Sequence, residues 1–417
     1  MNDYHDFKQL YDYEPYQRTS TTQVVASEAL NKADPASGAK HRIRLKTAET
    51  IFYPEGGGQP GDTGTITLED GRQIQVLDTR YDLVDDEAYI FHYTDSPAPE
   101  HAEVKLDIDW ERRFTHMQQH SAEHILSGLV HSTYGHMNVG FHLGREYTTI
   151  DFDGPVSYEE MQEIVYRANQ VVWANNTITP VVYTADEAKM IKFRTKIELD
   201  NLVRLIEIPG ADICACSGTH VAATGDIGMI LCTKVESYKG GSRIYFYAGT
   251  RAYNYVREHQ EIINELVVHQ NSPAEELLES VKRLDKRISE LESQIESTAN
   301  SIWAKTMANL DSPAVIHITE DIFSTKILRR LFKSLDEEAR MLVLMSQEDS
   351  FSFYLREPND IYNSPSSVFN LLKLKYLARG GGGPDLTQGQ IPLDNIASSK
   401  IFPKQLAMEL EAKCITI

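Results

Sequence analysis

Two short segments, far apart in the chain, each place metal-binding side chains four residues apart, and a fold that uses them must bring them together. In HMQQHSAEHILSG, His116, His120 and His124 recur every fourth residue in a stretch that reads as helix, so at 3.6 residues per turn they share one face. In DICACSGTHVAATGDIG, Cys216 and His220 stand on a turn of small residues between two strand-like runs. Two imidazoles one turn apart can grip one cation. With the downstream thiolate and imidazole, His120, His124, Cys216 and His220 make a three-histidine, one-thiolate set, borderline-soft and suited to one zinc ion per chain. His116 is left either as a partner behind the ligands or as a surface residue.

At 417 residues the chain exceeds one ordinary core of about 100 to 200 residues, so several domains are expected. Hydrophobic residues at 41 % and charged residues at 24 % are globular values rather than disordered ones. No apolar run reaches the roughly 18 residues that span a bilayer, and the N-terminus MNDYHDFKQLYDYEPYQ lacks the basic-then-apolar layout of a signal peptide. A cytoplasmic location is the expectation. Four cysteines, Cys214, Cys216, Cys232 and Cys414, are too few for a disulfide framework in a chain this long. Metal or thiol chemistry is the better reading of Cys214 and Cys216.

The net charge of -20 excludes a protein that coats nucleic acid indiscriminately, since that binding needs clustered lysine and arginine. Any nucleic-acid contact is therefore local. One candidate is TKILRRLFK, where Lys326, Arg329, Arg330 and Lys333 form one basic helical stripe, although a solvated helix face gives the same pattern.

The pattern of elements predicts an α+β, multidomain protein. Residues 1–110 carry short strand signals, TQVVAS, HRIRLKT, QIQVLDT and AYIFHYT, punctuated by Gly, Pro and Asp, which read as a small β-barrel with a glycine-rich loop. Residues 111–251 read as an α+β domain with the metal set. It holds a helix over 112–134, a second helix opened by Ser157, and strands in LVRLIEI, GMILCTKVES and SRIYFYAG. Residues 252–310 read as two helices, the second opened by Ser272 as N-cap with Pro273 at its first position. There Leu277, Val281, Leu284, Ile288, Leu291, Ile295 and Ile302 follow heptad spacing, broken only by Thr298. Such a seam closes within an antiparallel hairpin or across a homodimeric coiled coil. Residues 311–417 read as a small α/β domain holding ARGGGGPDLTQGQ.

HSAEH also fits the His-x-x-Glu-His pattern of zinc peptidases, in which Glu123 would activate water, but this leaves Cys216 and His220 without a task. Glu123 points from another face of the helix and is expected to be solvated.

IFYPEGGGQPGDTGTI, RRFTHMQQHSAEHILSG, FHLG with TTIDF, and CSGTHVAATGDIG with GGSRIYFYAGTRA occur in the order seen in the editing domain of alanyl-tRNA synthetases and in freestanding AlaX-type editing proteins. The chain resembles that family over residues 8 to 255. The helices that follow, with RGGGGPDLTQGQ, resemble the C-terminal domain of the same synthetases, so the whole is similar to the long freestanding form. No stretch reads as an ATP-binding site, and what remains leaves no room for an aminoacylation domain.

The resemblance implies hydrolysis of a wrong amino acid, serine or glycine, from alanine-specific tRNA, with zinc on His120, His124, Cys216 and His220. It also implies that Thr50 meets the serine hydroxyl and that Gln59 acts at the ester or ribose, which makes these two the candidate catalytic residues. The backbone of Gly56, Gly57 and Gly58 would approach the substrate. A second site of this kind is useful because an alanine pocket cannot exclude glycine by size and rejects one extra hydroxyl only modestly. Four protein ligands close a zinc site, so catalysis needs a loose ligand or a fifth position. Ser217 stands where the family turn has glycine, and Cys214 adds a thiol expected to bind nothing. The C-terminal glycine segment is less basic than its synthetase counterpart, leaving the 326–333 stripe and Lys373, Lys375 and Arg379 as phosphate contacts. Two other readings use the same residues: a tRNA- or synthetase-binding protein with structural zinc, and the peptidase.

Overall fold

The computed structural model describes residues 9–30, 43–84, 87–145, 147–195 and 202–417, apart from 309, 311–312, 320–322, 337, 363 and 397. His41 and Arg42, the start of one expected strand, lie outside the described residues. The chain divides into two compact units, Met1–Asn264 and Glu265–Ile417. No helix among the described residues is long and apolar enough to cross a membrane.

The first unit begins with a short helix, α1 (Leu10–Tyr13), and a closed barrel. Its strands are β1 (Thr19–Ala29), β2 (Ile43–Thr47), β3 (Gly64–Leu68), β4 (Gln73–Val84), β5 (Glu87–Thr94) and β6 (Glu103–Ile108), in the order β1-β2-β5-β4-β3-β6. Alternation decides which side chains fill it: in β6, Val104, Leu106 and Ile108 are buried while Glu103, Lys105 and Asp107 are exposed. The glycine-rich segment 54–62 leads into β3.

Helix α2 (Trp110–Tyr134) leaves the barrel directly. Asp109 caps it by accepting from Arg112 N, and Gly135 ends it in the left-handed conformation. Then follow β7 (Asn138–Leu143), β8 (Thr148–Phe152), α3 (Tyr158–Ala174), β9 (Thr179–Thr184), α4 (Ala185–Ala188), β10 (Leu202–Ile208), β11 (Asp212–Ala215), β12 (Ile230–Tyr238) and β13 (Gly241–Ala248). A four-stranded antiparallel sheet, β12-β13-β8-β7, packs on α2 and α3 around Ile125, Leu126, Leu129, Ile150, Ile164, Ile244 and Phe246. A second antiparallel sheet, β11-β10-β9, lays β11 along α2. Gly128 makes this possible, because a Cβ there would lie 2.3 Å from Ala211 O and 2.7 Å from Asp212 Cβ. Helix α5 (Gly249–Gln270) leaves β13 without a break.

In the second unit, α6 (Leu277–Met307) does not start as the sequence suggests. Pro273 is extended at ψ 155, residues 274–276 form a 3-10 turn, and the Ser272 hydroxyl has no partner, so Ser272 caps nothing. Val281, Leu284, Ile288, Leu291 and Ile295 remain 41–54 % exposed, so the heptad seam lies open over this stretch. Farther on, Ala299 and Trp303 enter a core with Phe323, Leu328 and Phe332. The rest is one sheet, β17-β18-β16-β15-β14-β19, made by β14 (Ala314–Ile318), β15 (Met341–Ser346), β16 (Ser350–Arg356), β17 (Arg379–Gly383), β18 (Leu386–Pro392) and β19 (Lys413–Thr416). Helices α7 (Thr325–Lys333), α8 (Asn359–Tyr362), α9 (Val368–Tyr376) and α10 (Phe402–Glu409) complete it. Neighbouring residues of β15 point to opposite faces: Leu342 and Leu344 pack with α9 and α10, Val343 with α7. The protein is thus α+β and multidomain, with a small N-terminal barrel.

Candidate metal centre

Every residue of α2 from His116 to Val130 is buried, so the helix presents His120 and His124 to the protein interior rather than to solvent. Cys216 and His220 reach them from the turn after β11. The four ligand atoms lie within 4.8 Å of one another. His120 Nε2 is 3.4 Å and His220 Nε2 3.5 Å from Cys216 Sγ. Zinc bonds of about 2.0–2.1 Å to nitrogen and about 2.3 Å to sulfur, at tetrahedral angles, separate nitrogen from sulfur by roughly 3.6 Å. The residues therefore suit a metal ion in kind and in spacing.

Two imidazoles are hydrogen-bonded from behind and the third, that of His124, has a carboxylate at its back. His120 Nδ1 donates to Gln59 Oε1 at 2.9 Å. Gln59 Nε2 donates to Thr219 Oγ1 at 2.8 Å, and Thr219 N donates back to Gln59 Oε1 at 3.3 Å. His220 Nδ1 lies 3.1 Å from Ser121 Oγ, and His124 Nδ1 lies 3.3 Å from Asp212 Oδ2. All three rings thus turn Nε2 inward. Gly218 N donates to Cys216 Sγ at 3.3 Å, and Arg204 Nη1 ties the turn through the carbonyls of Cys216 and Gly218. Gly218 is required by close approach, since a Cβ there would lie 2.2 Å from His120 Cε1. Ser217 is not among the residues with positive φ, so its replacement of glycine costs the turn nothing.

The charge states suit a metal. Burial works against a Cys216 thiolate, yet the charge of His120 and hydrogen bonds from the three histidines hold its pKa well below the ordinary thiol value. Burial, then His120, pushes His220 down to about 3, leaving it neutral. Burial also disfavours charge on His124, but Asp212 and then Cys216 outweigh it and push its pKa up to about 10. A cation entering the set displaces that proton.

His124, Asp212 and Cys214 form a second buried grouping within ligand reach. Here Arg194 supplies the positive charge, donating from Nη2 to Asp212 Oδ2 at 2.7 Å and from Nε to Oδ1 at 3.1 Å. Burial pushes the Cys214 thiol up, so it stays protonated. Glu123 departs from expectation. It is 4 % exposed rather than solvated, and its Oε1 accepts from Ser127 Oγ at 2.6 Å and from Asn138 Nδ2.

Gln59 is fully buried, with its amide engaged by His120 and Thr219. Thr50 is 4 % exposed and its hydroxyl accepts from Phe52 N at 3.0 Å. Gly56 and Gly58, with Gln59, Arg80, Tyr81 and His142, line a cleft of about 410 Å3 that meets the ligand set through Gln59, behind His120. Gly57 faces Ser217, and Gly58 abuts Phe141, whose ring stacks on His120 at 5.3 Å. The basic stripe belongs to the other unit. There Lys326 and Lys333 are exposed, Arg329 donates to Gln388, and Arg330 pairs with Glu296. Sequence reasoning missed Ser121, Asp212 and Arg194. Ser121 and Asp212 sit inside the quoted motifs, but nothing in their spacing marks them.

Residues 203–245 match the protein family described as threonyl and alanyl tRNA synthetase second additional domain. The chain is 28 % identical to the alanyl-tRNA editing protein AlaX-L of Pyrococcus horikoshii, over 84 % of this chain and 89 % of that protein. It is 31 % identical to the alanyl-tRNA editing protein Aarsd1-A of Xenopus laevis, over 70 % of this chain and 71 % of the relative. It is also 29 % identical to the alanine-tRNA ligase of Methanobrevibacter smithii, over 82 % of this chain but 40 % of the ligase.

Proposed function

Because this chain belongs to the family of alanyl-tRNA editing proteins, we propose that it is a zinc-dependent hydrolase that removes serine or glycine from mischarged alanine-specific tRNA. The observation that carries this reading is the convergence of His120, His124, Cys216 and His220, which Gln59 joins to a glycine-lined cleft. Zinc, when bound there, supplies a Lewis acid that polarises an ester carbonyl or a water.

The residues of the chain do the rest. Gln59, Ser121 and Asp212 hold the three imidazoles so that the ligand set is preorganised. The N-H groups of Gly57 and Gly58 have no intramolecular acceptor among the described residues and offer donors to the ester carbonyl or the terminal ribose. Thr50 accepts from Phe52 N, which leaves its own O-H proton for the hydroxyl of a seryl group. An alanyl ester would leave that buried donor without a partner, a loss of about 1–3 kcal/mol that favours serine.

The test is hydrolysis of serine-charged and alanine-charged tRNA by the full chain, with and without a chelator. Loss of the serine ester alone, stopped by the chelator and restored by zinc, is the expected result. A serine ester that stays intact while the protein still binds the tRNA would reduce the site to structural metal.

A further inference from the structure

Helix α2 carries a third histidine one turn before the first ligand, and its surroundings are cationic. His116 is 3 % exposed, and its Nδ1 has no hydrogen-bond partner. Arg112, on the same face of the helix, is half-buried and donates through Nη2 and Nε only to the carbonyl of Gly61, at 3.2 and 3.4 Å. Arg251, in the first turn of α5, donates to Gly144 O at 2.9 Å and Thr148 Oγ1 at 3.4 Å. Thr148 Oγ1 donates in turn to Gln119 Oε1 at 3.2 Å, which holds the start of α5 against α2. All these acceptors are neutral.

Most other arginines of this unit are compensated, although Arg18 lies over the Trp110 ring and Arg167 donates to Thr133 Oγ1 without a carboxylate. Arg44, Arg80, Arg113, Arg194 and Arg243 each meet an aspartate or glutamate, and Arg204 lies against the turn of the Cys216 thiolate. Neither Arg112 nor Arg251 has a carboxylate partner among the described residues, in a chain whose net charge is -20. The two guanidiniums feel each other: burial and then Arg112 lower the pKa of Arg251. Two adjacent, half-buried positive charges without a counter-charge are costly, and a bound anion would offset that cost.

We propose that Arg112, Arg251 and His116 form a phosphate-binding site that grips the RNA backbone near the 3' end of the acceptor strand. The position fits that ligand. His116 lies one helical turn, roughly 6 Å, and Arg112 two turns, roughly 12 Å, before His120, and the arginines reach the last residues of the glycine-rich loop and the β7–β8 turn. An ester on the terminal ribose at the metal would place a phosphate of the same strand in this neighbourhood. The site rests on the reading of the metal centre as acting on aminoacyl-tRNA, and it assigns a separate task, holding phosphate rather than hydrolysing the ester.

The experiment compares two substrates with the zinc-loaded full chain: seryl-tRNA, which carries phosphates, and the seryl ester of adenosine, which carries none. For Arg112→Gln and Arg251→Gln, KM for seryl-tRNA should rise about tenfold or more, with a loss at least tenfold smaller on the adenosine ester. The slope of log Kd against log salt for uncharged tRNA should become shallower by about 0.7 for each arginine removed, and Arg112→Lys and Arg251→Lys should retain most of it. Equal losses on both esters, or unchanged salt slopes, would overturn the proposal. So would inorganic phosphate binding that depends on the arginines while tRNA affinity does not. If wild-type protein hydrolyses neither ester, the deacylase reading fails, and the salt slopes still decide the phosphate site.

Discussion

Replacing Gln59 separates two roles that its position in the chain leaves open, contact with substrate and support of a metal ligand. In Gln59→Ala, His120 Nδ1 loses its acceptor at 2.9 Å, and Thr219 loses bonds of 2.8 and 3.3 Å. The orphaned donors sit where Gln59 is fully buried, so each costs about 1–3 kcal/mol unless water enters. His120 is then free to rotate or change tautomer, and metal ligands that lose such support bind about 10–100-fold more weakly, about 1.4–2.7 kcal/mol. Gln59→Glu keeps an acceptor opposite His120 and should bind zinc within about threefold of wild type. Titration of the purified protein against a competing chromophoric chelator reads both variants directly, without reference to hydrolysis. Zinc bound by Gln59→Ala as tightly as by wild type, alongside a large fall in hydrolysis, would refute the support role and return Gln59 to the substrate.

Two further predictions concern buried charge. Arg113 and Asp62 form a fully buried ion pair, so Arg113→Met, which strands the carboxylate, should destabilise the first unit by about 3–5 kcal/mol in urea unfolding. Adding Asp62→Leu should recover part of that, and a single-variant loss under about 1 kcal/mol would contradict the argument. His92 is fully buried, and burial pushes its pKa down to about 4 from an ordinary value near 6.5. The unfolded chain therefore takes up the proton first as pH falls, and stability present above pH 6.5 declines toward pH 4. At pH 4.5 the loss from this one group is about 2.5 kcal/mol, and His92→Leu should show a correspondingly flatter stability profile. Parallel profiles for the two proteins would show that the burial of His92 carries no linkage.

What could be read from the sequence was whatever depends on spacing along one segment. His120 with His124, Cys216 with His220, the barrel strands and the helix capped by Ser157 all follow from periodicity or a local cap, and the resemblance joined the two ligand pairs. What was misread depends on neighbours from other segments. An amphipathic helix normally has a solvated face, which is where the sequence puts Glu123, yet α2 is packed by α3 and by strands of two sheets, and the carboxylate finds Ser127 and Asn138. Ser272 and Pro273 make a good helix start on paper, but the extended backbone at Pro273 delays the α-helix to Leu277. Asp212 could not be recognised at all, because its link to His124 exists only once Gly128 lets β11 approach the helix.

These contacts also explain why the barrel and the α+β layer belong to one compact unit. The barrel contributes no metal ligand, so spacing alone would allow it to be a detachable appendage. Its connecting segment nevertheless supplies Gln59 behind His120, and Asp62, three residues on, receives Arg113 Nε at 2.8 Å from the first turns of the helix that carries the ligands. Arg113 Nη2 continues to Ile51 O at 2.7 Å, beside Thr50, and Arg112 bonds Gly61 O. One turn of α2 is therefore fastened to both ends of the glycine-rich loop, while the next turns carry His120 and His124. Any shift of the barrel moves Gln59 and Thr50 together against a ligand set that cannot follow, because His220 and His124 are held by Ser121 and Asp212 on the other side. On this geometry, severing the barrel would remove more than its own residues: it would release His120 and leave Arg113 buried without its counter-charge.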